Sequence, residues 1–222
     1  MPRTARASQG GICYHVLNRG NRRERVFRGE ADYEAFVDLI PRACERLPMR
    51  VLGYCLMPNH FHLVLWPRAD ADLSRWMQWL MTSHVRRHNK RQRTSGHVWQ
   101  GRFKAFPVQN DDHLRTVLRY VERNPLRAHL VKHAREWRWS SLRWWRSRKR
   151  PGFLHATEGV MRKDWSKVVD TPETEKELEA LRRSVNRGTP FGEESWTERT
   201  AAKLGLEFTL NPVGRPRKSG KK

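Results

Sequence analysis

Acidic residues are scarce in this chain: 23 Asp and Glu stand against 45 Lys and Arg in 222 residues, a formal net charge of +22. The sequence pI is near 11.1. A field of that sign repels cationic partners and attracts polyanions. Nucleic acid is the usual one, because side chains that neutralise phosphates release condensed counterions. An anionic membrane surface is the alternative. Long apolar runs are missing too, with no stretch of about 18 apolar residues to span a bilayer. The N-terminal MPRTARASQGG is basic but lacks a signal-type apolar core behind it, so the expectation is a cytoplasmic, nucleoid-associated protein with no membrane partner. Cysteine is sparse, and Cys13, Cys44 and Cys55 show no CxxC spacing. That fits reduced thiols better than a disulfide framework or a cysteine zinc site.

Tryptophan, by contrast, is abundant, with ten residues, several of them among arginines. The pair suits base stacking and phosphate pairing. The length suits one domain with extensions or two small domains.

The stretch Cys55 to Trp66, CLMPNHFHLVLW, organises the rest. Side chains alternate along a strand, so His60 and His62 share one face while Phe61, Leu63 and Leu65 take the core face. Two imidazoles on a rigid strand are half of a site for a divalent cation. Two ligands alone do not complete one, and a half-exposed polar face is the competing reading.

Around this strand the pattern reads in order. Gly11 to Asn18 is a first strand, with an arginine-rich turn, RGNRRE, behind it. Glu30 to Arg46 is an amphipathic helix that Pro41 kinks, Arg50 to Met57 is a second strand, and Pro58-Asn59 turns the chain into the histidine strand. A long helix follows from Asp72, carrying Leu73, Trp76, Met77, Leu80, Met81 and His84 on one stripe and ending in the basic HVRRHNKRQR. Those cations suit either the helix dipole or a DNA strand. Lys104 to Val108 closes the set as a last strand. Strand, helix, strand, strand, helix, strand is the plan of an α+β, ferredoxin-like split β-α-β antiparallel sheet with both helices on one face. The histidines would then sit on the uncovered face, open to the next helix, from Asp111 or Asp112 to Asn124, where Pro125 interrupts it.

On that helix Tyr120 and Asn124 are spaced i, i+4 and share a face. Docked on the second face of the sheet, they would bring a phenol and an amide oxygen to the imidazoles. His60, His62 and Asn124 then form a three-ligand site with open positions, and Tyr120 becomes a nucleophile for phosphorus that would end in a covalent phosphotyrosine. Tyr14, Tyr54 and Tyr33 read as core. His15, His84, His88, His97 and His113 read as surface or core residues, His97 alone being a possible site neighbour.

CLMPNHFHLVLW, with GHVWQGRFKAF and LRYVERNPLRAHLV downstream in that order, resembles the REP-associated tyrosine transposases, relatives of the single-tyrosine HUH transposases. The likeness spans roughly Gly11 to Trp145. It implies a ferredoxin-like fold, Mg²⁺ or Mn²⁺ on His60 and His62, Asn124 as third ligand where larger relatives carry Gln, and Tyr120 as nucleophile. It also implies metal-dependent single-strand cleavage and joining at palindromic REP-like hairpins, a tetranucleotide read at the hairpin foot, and single-stranded or hairpin DNA as partner. No small-molecule cofactor is implied, and the chain would act as monomer or homodimer. Two other classes stay open: a non-catalytic hairpin-binding repressor on the same fold, and a phosphodiesterase using water.

The expected division is a catalytic domain over 1–148, a helical extension over 149–210 and a basic tail over 211–222. Trp137, Trp139, Trp144 and Trp145 are either hydrophobic lids or stacking platforms for bases. Thr171 to Asn186 reads as a solvated helix ending before Gly188, and Gly192 to Leu210 as a helix with a turn at Gly205. Gly214-Arg215-Pro216-Arg217 resembles an AT-hook core, against the reading of a basic tail that touches phosphates without preference. Arg19, Arg22, Arg102, Lys104, Trp139, Arg215 and Arg217 form the expected DNA-binding set.

Overall fold

The computed structural model describes residues 8–145, 147–155 and 164–211. Arg215 and Arg217 lie outside them. Four strands form one antiparallel sheet: β1 (Cys13–Arg19), β2 (Met49–Met57), β3 (His60–Pro67) and β4 (Lys104–Val108), in the order β2-β3-β1-β4. β3 is inserted between β1 and β2 and is antiparallel to both. This is the ferredoxin-like α+β plan that the alternation and the crossover helices imply.

One face of the sheet carries α1 (Glu30–Val37), α2 (Leu39–Arg46) and α3 (Asp72–Gln92). Their apolar stripes, including Phe36, Ile40, Trp76, Met77 and Leu80, pack on Val16, Phe61, Leu63 and Leu65. The single kinked helix expected over 30–46 is two helices, broken at Asp38. Pro41 offers no N–H to the carbonyl of Val37, so the ladder fails one turn upstream of the proline.

The opposite face carries α4 (Asp112–Arg127), whose N-cap Asp111 accepts from the His113 N–H. Leu114, Val117, Leu118 and Val121 bury its apolar stripe on Leu52, Cys55, Val64 and Phe106. Gly53 lets the helix come close: a Cβ there would stand 2.7 Å from Leu118 Cδ2. α4 does not stop at Pro125, as expected from the sequence, but runs one turn further. The proline removes the donor for the carbonyl of Val121, and the Asn124 side-chain Nδ2 replaces it at 3.3 Å. A defect that costs about 3 kcal/mol in a bare helix is thereby reduced.

After α4 come α5 (Trp165–Asp170), α6 (Glu175–Arg187) and α7 (Glu194–Leu204). α6 starts at Thr174 in a capping box with Glu177 and ends on left-handed Gly188. Trp165, Val169, Leu181 and Phe191 join the same apolar cluster as Val117 and Leu118, so the extension is packed against α4. Buried Glu122 of α4 is the polar centre of this packing. Its carboxylate accepts from Ser141 Oγ (2.5 Å), Trp145 Nε1 (2.6 Å) and Trp165 Nε1 (2.7 Å). Burial pushes its pKa up to about 7, against the pull of those three donors.

Candidate active site

Strand alternation delivers the two histidines as expected. His60 lies opposite Arg19 and His62 opposite Leu17, which in turn faces Lys104 across β1 and β4. Directly opposed residues share a face, so Arg19 and Lys104 flank the imidazoles, both exposed. His62 is buried and His60 half-buried, with ring centroids 5.0 Å apart. The Tyr120 ring centroid is 6.0 Å from that of His62, and the planes are near perpendicular. A strand and a helix far apart in sequence thus bring the phenol and the imidazole pair together.

The histidine nitrogens are assigned by their neighbours. Asn59 Nδ2 donates to the carbonyl of Arg23 (3.1 Å), which turns its Oδ1 toward His60 Nδ1 (2.6 Å). An oxygen only accepts, so His60 Nδ1 carries the proton and Nε2 keeps its lone pair. His62 Nδ1 lies 2.8 Å from His15 Nε2. When His62 donates across that contact, its Nε2 is also a free lone pair. Burial pushes the His15 pKa down to about 3. Burial first, then the cations of Arg19 and Arg127, lowers His60 to about 4. His62 is driven well below its ordinary value, by burial first and then by His15 and His60. All three imidazoles are therefore neutral at pH 7, the form that ligates a metal.

Asn124 is buried on the same turn of α4. Its Nδ2 is tied to the carbonyls of Tyr120 (3.0 Å) and Val121, which leaves Oδ1 as the outward atom. Arg127 takes that oxygen, its Nη2 donating at 2.9 Å. The same guanidinium lies 4.1 Å from the centre of the Tyr120 ring. Burial raises the pKa of the Tyr120 phenol, and Arg127 is the largest influence lowering it again. Among the described residues no cluster of three His, Cys, Asp or Glu side chains could hold a metal. Two neutral imidazoles on β3, and on α4 beside Tyr120 an amide oxygen shared with Arg127, are donor types that fit a divalent cation with open positions.

Sequence reading set His15 and Asn59 aside. His15 is placed by β1, where it stands opposite Val64, one diagonal step from His62. No strand-spaced partner announces it, because its partner is on the next strand. Asn59 read only as a turn residue. Trp139, expected among the DNA-binding residues, is buried and stacks on Tyr33 with centroids 4.8 Å apart. The aromatic packing leaves no open ring face for a base, and its role is in the core. Trp137, Trp144 and Trp145 anchor on the Leu56 carbonyl, the Tyr54 hydroxyl and Glu122. Arg22 and Arg102 are exposed.

Known proteins resemble this chain. A REP-associated tyrosine transposase of Escherichia coli (strain K12) is 26% identical over 141 residues, covering 60% of this chain and 78% of that one. A relative from Haemophilus influenzae is 25% identical over 147 residues, covering 61% and 81%. A solved structure, described as a REP-associated tyrosine transposase bound to a REP hairpin, superposes with a TM-score of 0.58 at 20% identity, covering 70% of this chain and 92% of that one. That likeness shows the fold. The sequence profile of the family "Transposase IS200 like" matches residues 8–124, more than half of the chain and including His60, His62, Tyr120 and Asn124. This chain belongs to the IS200-like transposases.

Proposed function

We propose that the chain is a metal-dependent endonuclease and strand transferase for single-stranded DNA, acting beside palindromic, REP-like hairpins through a 5′-phosphotyrosine intermediate. The observation that carries this reading is the meeting of the Tyr120 ring with the His62 imidazole, at 6.0 Å between centroids, in a transposase fold. His60 and His62 through Nε2, with Asn124 Oδ1, would hold Mg²⁺ or Mn²⁺. When bound, the ion supplies Lewis-acid polarisation of a phosphate oxygen.

The chain's own residues do the rest. The Tyr120 oxygen forms a bond to phosphorus as the bond from phosphorus to the 3′ oxygen breaks. The phenol gives up its proton and the released 3′ oxygen gains one, leaving a free hydroxyl. The phosphodiester's bond energy is kept in the protein linkage, so a second 3′ hydroxyl can reverse the step and join. His15 and Asn59 orient the imidazoles, and Arg19 and Lys104 offer phosphate contacts on the same face. The hairpin partner is supported by the relative described as bound to a REP hairpin, and by the net charge of +22.

The test is covalent attachment. A labelled hairpin oligonucleotide with a single-stranded flank should become linked to the protein in Mn²⁺, survive a denaturing gel, and lose the linkage in Tyr120→Phe or in EDTA while binding persists. Attachment by Tyr120→Phe would place the nucleophile elsewhere. Cleavage with no protein-linked product would identify a phosphodiesterase that uses water.

A further inference from the structure

Arg127 is the charged group nearest the proposed chemistry that has no part in it so far. It lies one turn beyond Asn124 on α4, and its guanidinium is held on three sides. Nη2 donates to Asn124 Oδ1 (2.9 Å) and to the carbonyl of Tyr120 (3.4 Å), while Nη1 donates to Glu173 Oε1 (3.0 Å). Its Cζ lies over the Tyr120 ring, 4.1 Å from the ring centre. A guanidinium carries more N–H groups than these contacts use. The Arg127 side chain is 26% exposed, whereas that of Glu173 is 2% exposed. The carboxylate is thus a floor beneath the guanidinium and not a competitor on its open side.

Glu173 is itself fixed. It precedes Thr174, the N-cap of α6, and also faces Arg123 at 3.9 Å. One turn on, Glu177 pairs with Arg119 at 2.7 Å. Residues 164–211 therefore grip the arginines of α4 from outside the sheet domain and hold the guanidinium ready for a ligand. A planar cation with spare donors beside a phenol suits a phosphate oxygen better than any neutral group.

We infer that Arg127 binds a backbone phosphate of the DNA strand beside Tyr120, and that Glu173 is the positioning residue that presets it, so the helical extension completes the site. This deepens the transesterase reading and rests on it for the identity of the strand. Pre-setting matters because an ordered guanidinium does not lose its rotamer freedom a second time when the strand binds.

The test measures affinity by fluorescence anisotropy across a salt series, using a fluorescein-labelled hairpin oligonucleotide with a single-stranded flank. Arg127→Gln should bind at least about tenfold more weakly and lose about one unit of salt slope, as for one lost phosphate contact. Arg127→Lys should keep the slope with intermediate affinity. Arg135→Gln, at an exposed arginine in the short 3-10 helix Ala134–Glu136 that follows α4, reports the generic effect of one charge. Glu173→Gln gives the sharpest reading. Removing a negative charge from a basic protein should tighten DNA binding, yet here it should weaken it about threefold or more, whereas exposed Glu179→Gln should not.

Glu173→Gln that binds more tightly, or Arg127→Gln that matches Arg135→Gln, overturns the inference. Thermal melting identifies any variant that fails to fold, and Arg127→Lys, which keeps the ion pair, then carries the test. Arg127-dependent affinity without any covalent adduct from the unaltered protein would count against the transesterase reading alone. An adduct formed by Arg127→Gln with unchanged rate and affinity would count against this inference alone.

Discussion

His15 Nε2 stands 2.8 Å from His62 Nδ1, and both rings are buried. The contact links β1 to β3 through side chains and occupies Nδ1 of His62, so that Nε2 is the nitrogen left for a ligand when His62 donates across it. Partners of this kind typically change metal affinity or activity by 10- to 100-fold when removed.

His15→Phe should therefore keep the ring packing against Phe106, 4.9 Å away in the native pair, yet remove the acceptor. The expected outcome is a loss of about tenfold or more in the Mn²⁺ dependence of covalent attachment, with hairpin affinity unchanged. His15→Gln, whose Oε1 can accept, should recover part of it. A titration of attachment rate against Mn²⁺ decides; a curve that His15→Phe leaves in place would reduce His15 to a packing residue.

Asn124 has two separable tasks, one on each side of its amide. Nδ2 serves the carbonyl of Val121, which Pro125 leaves short of a donor, together with that of Tyr120, and Oδ1 faces Arg127. Asn124→Asp should keep an oxygen toward Arg127 and the cation while losing the helix contacts, at a cost of about 1 kcal/mol measured by urea unfolding. Attachment should persist. Asn124→Leu should lose both stability and attachment. If Asn124→Leu still forms the adduct at the native rate, the amide oxygen is no ligand.

Much of this site was legible because strand and helix periodicity are strict. Phe61, Leu63 and Leu65 could face only the α1 to α3 layer, so His60 and His62 had to face α4, and Tyr120 and Asn124 had to share a helix face. What periodicity does not carry is contact between neighbouring strands. His15 was invisible for that reason, since its register against β3 is set by pairing that a single strand does not reveal. Trp139 misled for another. An aromatic among arginines satisfies both a lid and a stacking platform, and only the stacked Tyr33 ring distinguishes them. Pro125 shows a third limit, because a breaker was neutralised by the side chain next to it.

Glu122 sets a pH dependence of opposite sign to that of the histidines. Its folded pKa, about 7, lies above the ordinary 4.5. Between those values the folded state binds more protons than the unfolded chain, so this group's contribution to stability falls as pH rises and levels off above 7. The difference corresponds to about 3 kcal/mol at most. His15, with a folded pKa of about 3 against 6.5, binds fewer protons when folded, and stability rises with pH through that window. Glu122→Gln should remove the first slope and keep the second. It should also carry a constant penalty for an indole N–H left facing an amide nitrogen. Urea midpoints at pH 5 and pH 8 should show the variant gaining on the native protein at the higher pH. Parallel curves would mean that the carboxyl is ionised throughout.

Trp139 and Arg19 should separate stability from DNA contact. Trp139 is buried against Tyr33, with Arg138 over its ring at 5.0 Å. Trp139→Ala removes a large core side chain, which typically costs about 3 to 5 kcal/mol. The folded fraction should still bind the hairpin with native affinity and native salt slope. Arg19 is exposed opposite His60 on the histidine face, and Arg19→Gln should leave the melting temperature unchanged while weakening binding and reducing the salt slope by about one. Anisotropy and thermal melting on the same preparations read both quantities. A weakened hairpin complex from fully folded Trp139→Ala would return the indole to the DNA-binding set, and an unchanged salt slope in Arg19→Gln would remove the arginine from it.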